Sequence, residues 1–121
     1  MAENYRKELY DLNQRIQDDI TRIVYDNDSF IKIPYFYYED DIDEDIEVLI
    51  EDGYDVRCEA IGVNLTIEVI NYCGYRQEIE VVGLKYHLGE VILISKDSNT
   101  HYLRDVISMY DLITIYEQIT Q

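Results

Sequence analysis

The sequence has few positive charges. Ten lysines and arginines stand against 26 aspartates and glutamates, which gives a formal charge of −16 at pH 7. A negative field of this size repels the phosphates of nucleic acids and the anionic headgroups of membranes. We therefore expect no direct nucleic-acid binding and no membrane binding, and we expect any protein partner to be basic.

Long apolar runs and metal-binding motifs are also missing. No apolar stretch approaches the ~18 residues that span a bilayer, and the first residues lack the apolar core of a secretory signal. These absences predict a cytoplasmic protein in which the two cysteines, Cys58 and Cys73, stay reduced. The two histidines do not stand at ligand spacing from the cysteines, so we expect no metal and no cofactor.

Motifs that carry a known catalytic chemistry are absent as well. The chain has no glycine-rich phosphate loop, no Gly-x-Ser-x-Gly elbow and no His-Glu-x-x-His pair. An excess of carboxylates always permits an imagined acid–base pair, and the sequence gives no reason to choose one. We predict a protein that is not an enzyme, and an uncharacterised enzyme is the weakest alternative.

The N-terminal segment of the sequence has an amphipathic pattern. Apolar residues recur at steps of three and four over about residues 3–24, and this stripe consists of Tyr5, Leu9, Leu12, Ile16, Ile20 and Ile23. The pattern predicts a helix that packs on a sheet. At 1.5 Å per residue this helix is about 33 Å long. Because that is long for so small a sheet, one alternative is that a protruding end pairs with a second copy to form a homodimer.

A second helix is predicted at the C-terminus. Ser108 is the predicted N-cap, and Asp111 follows three residues later in an arrangement that resembles a capping box. One apolar face is then formed by Met109, Leu112, Ile113, Tyr116 and Ile119.

Between the two helices the hydrophobic period changes to two. Val63, Leu65, Ile67 and Val69 alternate with polar residues, and residues 90–95 are apolar on both faces, as in a central strand. The turn signals between such runs are too close together for crossover helices. We predict one α+β domain over residues 1–121, with an antiparallel meander of about five to seven strands flanked by the two helices in two layers.

The most unusual segment is YYEDDIDEDIEVLIEDGYD, residues 37–55, which holds ten carboxylates and no lysine or arginine. Ile42, Ile46, Val48 and Ile50 share one face of a two-residue period and most acids share the other, with Leu49 as an interruption. This pattern predicts a strand that enters a hairpin turn at Asp52-Gly53. The acidic hairpin, residues 39–55, is then either a solvated edge protected from aggregation or a surface for a basic partner.

The tyrosines beside the acids favour the second interpretation. Tyrosine offers contact area at low entropic cost, and its ring attracts lysine and arginine. The predicted partner-binding residues are Tyr35, Tyr37, Tyr38, Asp41, Asp43, Asp45, Glu47, Tyr54 and Asp55. The alternative interpretation is that these tyrosine rings pack in the core and do not bind a partner.

Two more specific functions for the same acids are a calcium site and nucleic-acid mimicry. Asp41, Asp43 and Asp45 match three positions of an EF-hand calcium loop, but Ile46 replaces its glycine and Asp52 its final glutamate. Carboxylates on a strand also repeat about every 6.6 Å on one face and could imitate a row of phosphates. A small acidic domain of that kind could inhibit a DNA- or RNA-binding enzyme as a nucleic-acid mimic of the phage or mobile-element type, by analogy of charge and size alone.

Overall fold

A computed structural model describes residues 2–58 and 62–121. The helices are α1 (Ala2–Asp26), α2 (Glu44–Glu51) and α3 (Met109–Thr120), and short 3-10 helices lie at Glu39–Asp41 and Leu103–Asp105. The strands are β1 (Phe30–Lys32), β2 (Tyr35–Tyr37), β3 (Val56–Cys58), β4 (Thr66–Ile70), β5 (Arg76–His87), β6 (Glu90–Ser95) and β7 (Thr100–Tyr102). The predicted two-layer α+β fold, with an antiparallel sheet and a helix at each end, is confirmed.

The main sheet is antiparallel and is built around the long strand β5. Its strand order is β1-β5-β6-β7, and β4 pairs with the N-terminal part of β5 beyond the end of β1. A bulge between Val81 and Gly83 shifts the register with β6. β6 has a strand on each side, as its apolar sequence predicts.

Helices α1 and α3 cover one face of this sheet. Ile20 of α1 and Leu112 of α3 are fully buried and share a core with Leu84 and Leu93 of the sheet. Each such buried side chain contributes about 1.5–3 kcal/mol. None of the helices in the described ranges is long and apolar enough to cross a membrane.

The start of α3 also closes an edge of the sheet. Ser108 caps the helix as predicted, since its hydroxyl accepts a hydrogen bond from the Tyr110 N–H at 3.1 Å. Asp111 does not complete a capping box there, because its carboxylate accepts from the N–H of Glu68 in β4 at 2.9 Å. The Ile107 N–H donates to the Glu68 carbonyl at 3.1 Å. Both backbone groups of Glu68 are therefore bound on the outer side of β4.

The predicted acidic hairpin is wrong, because residues 44–51 form a helix. Ile46 and Leu49 are three residues apart and both are buried, which fits a helical period. Val48 and Ile50, assigned to the buried face of a strand, are exposed. The Leu49 that interrupts the two-residue period is the second apolar anchor of the helix.

Asp52-Gly53 is the C-terminal cap of α2 and not a hairpin turn. Gly53 has φ +85°, the Gly53 N–H donates to the Ile50 carbonyl, and the Tyr54 N–H donates to the Leu49 carbonyl. These two bonds form a Schellman motif, which favours glycine at its left-handed position. The helix connects β2 to β3, and this small strand pair is parallel, unlike the antiparallel pairing predicted from short connections.

A second, smaller core lies on the opposite face of the main sheet. Tyr35, Ile46 and Leu49 pack there against Val82 of β5. Helix α2 and the β2–β3 pair therefore cover part of the face that α1 and α3 leave uncovered, and they hold the acidic segment against the sheet.

Candidate acidic surface around Lys96

The carboxylates of α2 surround its N-terminus. Asp43 is the N-cap, and its side chain accepts a hydrogen bond from the Ile46 N–H at 3.0 Å. That bond, assisted by nearby Lys96, holds the pKa of Asp43 below its ordinary value. Glu44, Asp45 and Glu47 follow in the first turn, where the helix dipole favours negative charge. All four are exposed.

Lys96, in the turn after β6, contacts the N-terminal end of α2. Its ammonium lies 3.4 Å from a carboxylate oxygen of Asp43 and 5.5 Å from the ring centroid of Tyr35. Burial lowers the pKa of Lys96, but hydrogen bonding to Tyr35 and the charges of Asp43 and Glu80 outweigh burial and raise it. The side chain stays charged and ties the turn to the helix.

Tyr35 is the buried centre of this cluster. Its hydroxyl donates to a carboxylate oxygen of Glu80 at 2.8 Å, and the residue is 5% exposed. Burial, followed by the hydrogen bond to Glu80, raises the pKa of Tyr35 to about 12. This ring is therefore a structural support beneath the surface and does not offer a free face to a partner.

Tyr37 and Tyr38 continue from β2 on the outside of the cluster. They line a cavity of about 420 Å³ together with Tyr35, Phe36, Asp43, Ile46, Asn64 and Lys96. Tyr37 is half-buried, while Tyr38 is 62% exposed. This cavity brings aromatic rings and a carboxylate together on one side of Lys96.

Asn64 holds the tyrosine segment in place. Its side-chain amide accepts from the Phe36 N–H at 2.6 Å and donates to the Phe36 carbonyl at 2.9 Å, as a neighbouring strand would. The Phe36 ring also packs so closely on Gly62 that a Cβ there would overlap it.

A second cavity, of about 340 Å³, lies on the other side of Lys96. It is lined by Asp45, Thr66, Gln77, Glu78, Ile79, Glu80, Ser95, Lys96 and Asp97. Lys96 lines both this cavity and the tyrosine cavity. Carboxylates from α2, β5 and the β6–β7 turn face a common space here, although they are far apart in sequence.

Tyr54 and Asp55 do not join this surface. Tyr54 follows the C-terminal end of α2, where it lies near Lys32 and lines a separate cavity of about 400 Å³. Burial and the charge of Asp52 raise the pKa of Tyr54. Asp55 forms an ion pair with Arg57, whose hydrogen bonds lower the pKa of Asp55.

The two remaining predicted site residues are Glu47 and Asp41. Glu47 is exposed on α2 but lines neither cavity beside Lys96. Asp41 ends the 3-10 helix before α2, and its side chain lies outside the described residues. The structure thus places Tyr35, Tyr37, Tyr38, Asp43 and Asp45 together around Lys96, although the two aspartates belong to the start of a helix and not to the predicted strand.

Three residues that organise the surface were missed. Lys96, Glu80 and Asn64 stand 28 or more positions from the residues they contact, Asp43, Tyr35 and Phe36. No local period links such partners. The only signal was weak: Lys96 is the one lysine or arginine between Lys85 and Arg104.

Comparison with protein families, curated proteins and solved structures finds no match to this chain. The acidic surface is therefore interpreted from its own geometry.

Proposed function

We propose that this protein is a non-enzymatic interaction domain that binds a basic protein partner. The contact region is the acidic surface, defined as the exposed carboxylates Glu44, Asp45 and Glu47 with Asp43, Tyr37 and Tyr38 beside them. One observation carries the proposal. Among the described residues, no lysine or arginine lies within salt-bridge distance of Glu44, Asp45 or Glu47.

The geometry supports recognition better than simple solvation. The apolar side of α2 is anchored by Ile46 and Leu49, so its acids project from a fixed helix. A fixed cluster of like charges speeds encounter with an oppositely charged protein, and salt weakens this effect. The ring of Tyr38 is exposed beside the acids and can stack against a lysine or arginine.

Charge reversal of α2 tests this function. We expect the combined change Glu44→Lys, Asp45→Lys and Glu47→Lys to abolish capture of the basic partner from a lysate of the native host. Asp43 is left unchanged because it caps the helix. Each substitution alters the charge by two units, so the variant has a formal charge of −10 in place of −16.

A matched control has the same net charge but an intact acidic surface. Asp11→Lys, Asp18→Lys and Glu117→Lys change exposed residues of α1 and α3. This control should retain the partner, and retention should fall as salt is raised. Equal capture by both variants would contradict the proposed surface, and turnover of a small molecule by the purified protein would contradict the non-enzymatic assignment.

Nucleic-acid mimicry remains an alternative outcome of that capture. Its predicted phosphate-like spacing required a strand, and α2 is a helix, so the spacing no longer supports it. A mimic would compete with duplex DNA or RNA for its partner. A partner that binds this domain and a nucleic acid simultaneously would exclude mimicry.

We also propose that two copies pair through the N-terminal half of α1. Tyr5, Leu9 and Leu12 are 64%, 57% and 40% exposed and continue the stripe by which α1 packs on the core. Helix α1 carries six acids and four bases, a charge of −2, and so repels a second copy less than the acidic surface does. An antiparallel pair centred between Leu9 and Leu12 would bring Glu8 of one copy near Arg15 of the other.

The cytoplasmic location stays a prediction from the sequence.

A further inference from the structure

The N-terminal part of β5 has a strand on one side only. β4 pairs with β5 over residues 76–80, whereas β6 pairs with β5 from Val81 onward and ends at Ser95. The Lys96 N–H donates to the Glu80 carbonyl at 2.9 Å, one step beyond that end. From Arg76 to Ile79, a length of about 13 Å, β5 therefore extends past the end of its neighbour.

The backbone of Glu78 points toward this open side. Glu68 lies directly opposite Glu78 in the β4–β5 pair. The N–H and carbonyl of Glu68 bind Asp111 and Ile107 on the outer side of β4, so Glu68 and Glu78 form a pair without mutual hydrogen bonds. The Glu78 N–H and carbonyl consequently face away from β4. On that side they have no hydrogen-bond partner within residues 2–58 and 62–121.

The cavity of about 340 Å³ lies beside this open edge. Its carboxylates are those of Asp45, Glu78, Glu80 and Asp97, with Lys96 at the end nearest β6. Tyr72, in the turn between β4 and β5, donates to the Thr100 carbonyl at 3.2 Å and ties the other end of the hairpin to β7. The edge thus faces an acidic cavity, with contacts of Lys96 at one end and of Tyr72 at the other.

We propose that this edge of β5 accepts an extended basic segment of the partner, which adds as a strand antiparallel to β5 in line with β6. The inference rests on the proposed function and specifies where and in what conformation the partner docks. Strand addition of this kind takes its affinity from main-chain hydrogen bonds and its specificity from alternate side chains.

The position opposite Glu78 selects the charge of the ligand. Directly opposed side chains on one face of an antiparallel pair lie about 4.5–5.5 Å apart at Cβ, and opposite charges there are favourable. A lysine or arginine of the added strand would meet Glu78, with Glu80 and Asp45 lining the same cavity. An acidic residue at that position would be repelled.

Two N-methylated peptides test whether the backbone is used. The probe is the heptapeptide Lys-Val-Lys-Val-Lys-Val-Lys, made unmodified and with N-methyl groups on either the lysine or the valine amides. In an added strand, alternate N–H groups face β5, so methylation of one set blocks hydrogen bonds and methylation of the other does not. We expect one methylated peptide to lose affinity about tenfold or more, and the other to stay within about threefold of the unmodified peptide.

A protein variant provides the reciprocal measurement. Glu78→Pro removes an N–H that β4 does not use, at a position where a strand edge tolerates proline. It should weaken the unmodified peptide, whereas Glu78→Gln keeps the N–H and should lose only the charge contribution. If Glu78→Pro does not fold, as judged by circular dichroism, the methylated peptides still decide.

The outcomes separate this inference from the proposed function. Equal affinity of the two methylated peptides would overturn strand addition while leaving the acidic surface intact. No binding of the unmodified peptide at millimolar concentration would overturn strand addition as well. Equal capture of the partner by the α2 charge-reversal variant and its charge-matched control, by contrast, would overturn the proposed acidic surface of α2.

Discussion

At the scale of single residues, Lys96 links the parts of the acidic surface. Its ammonium contacts Asp43 at the start of α2, and its backbone N–H binds Glu80 of β5. Tyr35 lies between these elements and donates a hydrogen bond to Glu80. The side chains of these four residues position α2 over the sheet because a buried hydroxyl and a half-buried charge both require partners.

Tyr35 gives this cluster a measurable dependence on pH. Its pKa is raised to about 12 in the folded protein and is about 10 when unfolded, so its contribution to stability is fully present below pH 10. The contribution is lost as pH rises through about 12. Tyr35→Phe should reduce the free energy of unfolding by about 1–2 kcal/mol at neutral pH. It should also flatten the loss of stability between about pH 10 and 12.

Urea unfolding at a series of pH values measures both effects. Tyr38→Phe is the matched control, because it removes an exposed phenol from the same segment and should leave the pH dependence unchanged. Parallel pH profiles for Tyr35→Phe and the unsubstituted protein would show that folding does not raise the pKa of Tyr35, and equal stability at neutral pH would show that the hydrogen bond to Glu80 does not contribute.

At the scale of elements, α2 determines how the acids are presented. Its first turn is acidic, which suits the helix dipole, and its end is a Schellman motif, which satisfies the last backbone carbonyls. The ammonium of Lys32 donates to the Gly53 carbonyl at 2.8 Å and fixes this end beside β1. The helix is therefore held at both ends, which keeps its exposed carboxylates in a defined arrangement.

Gly53→Ala should loosen this arrangement. An alanine at φ +85° incurs the cost of the left-handed conformation, about 1–2 kcal/mol. Asparagine tolerates that conformation better, so Gly53→Asn should cost less. Hydrogen exchange should show faster exchange of the α2 amides in Gly53→Ala, with a lower urea midpoint. Unchanged exchange and stability would mean that the Schellman cap does not hold α2.

Gly74→Ala controls for backbone strain elsewhere. Gly74 also has a left-handed φ, +80°, but lies in the β4–β5 turn, where a methyl group on its Cα would meet no atom within 4 Å. This change should lower the urea midpoint without a selective effect on α2 amides.

At the scale of the whole molecule, charge is unevenly distributed. Residues 39–55 hold ten acids and no base, whereas α1 holds four of the ten bases of the chain. Partner binding to the acidic surface and dimerisation through α1 should consequently respond to salt in opposite ways. Salt screens the attraction of a basic partner to the acidic surface, and it also screens the repulsion between two copies of a molecule with charge −16.

Sedimentation velocity over a concentration series tests pairing through α1. We expect a dimer whose population rises with protein concentration and with salt. Leu9→Lys together with Leu12→Lys should give a monomer, because two charges would enter the apolar contact. Val63→Lys, at a position that is 87% exposed, is the control and should still dimerise. A strict monomer at high concentration and high salt would contradict the homodimer.

The sequence by itself determined the features that depend on local periodicity and on composition. The stripe of α1, the Ser108 cap of α3, the alternation of Ile67 and Val69 in β4, and the apolar β6 are each encoded within one element. Together they were sufficient for the α+β class. The predicted alternation also included Leu65, which is buried but precedes β4, and Val63, which is exposed. The net charge likewise follows from composition alone.

The tertiary structure decided the form of the acidic segment and the partners of its residues. Ile42, Ile46 and Ile50 are four apart, a spacing that fits both a strand face and a helix stripe, so the period alone could not choose between them. Burial of Ile46 and Leu49 against Val82 selects the helix, and Asp43 is drawn to Lys96, 53 residues away. Such contacts join segments that are remote in sequence, and only the folded chain brings them within reach.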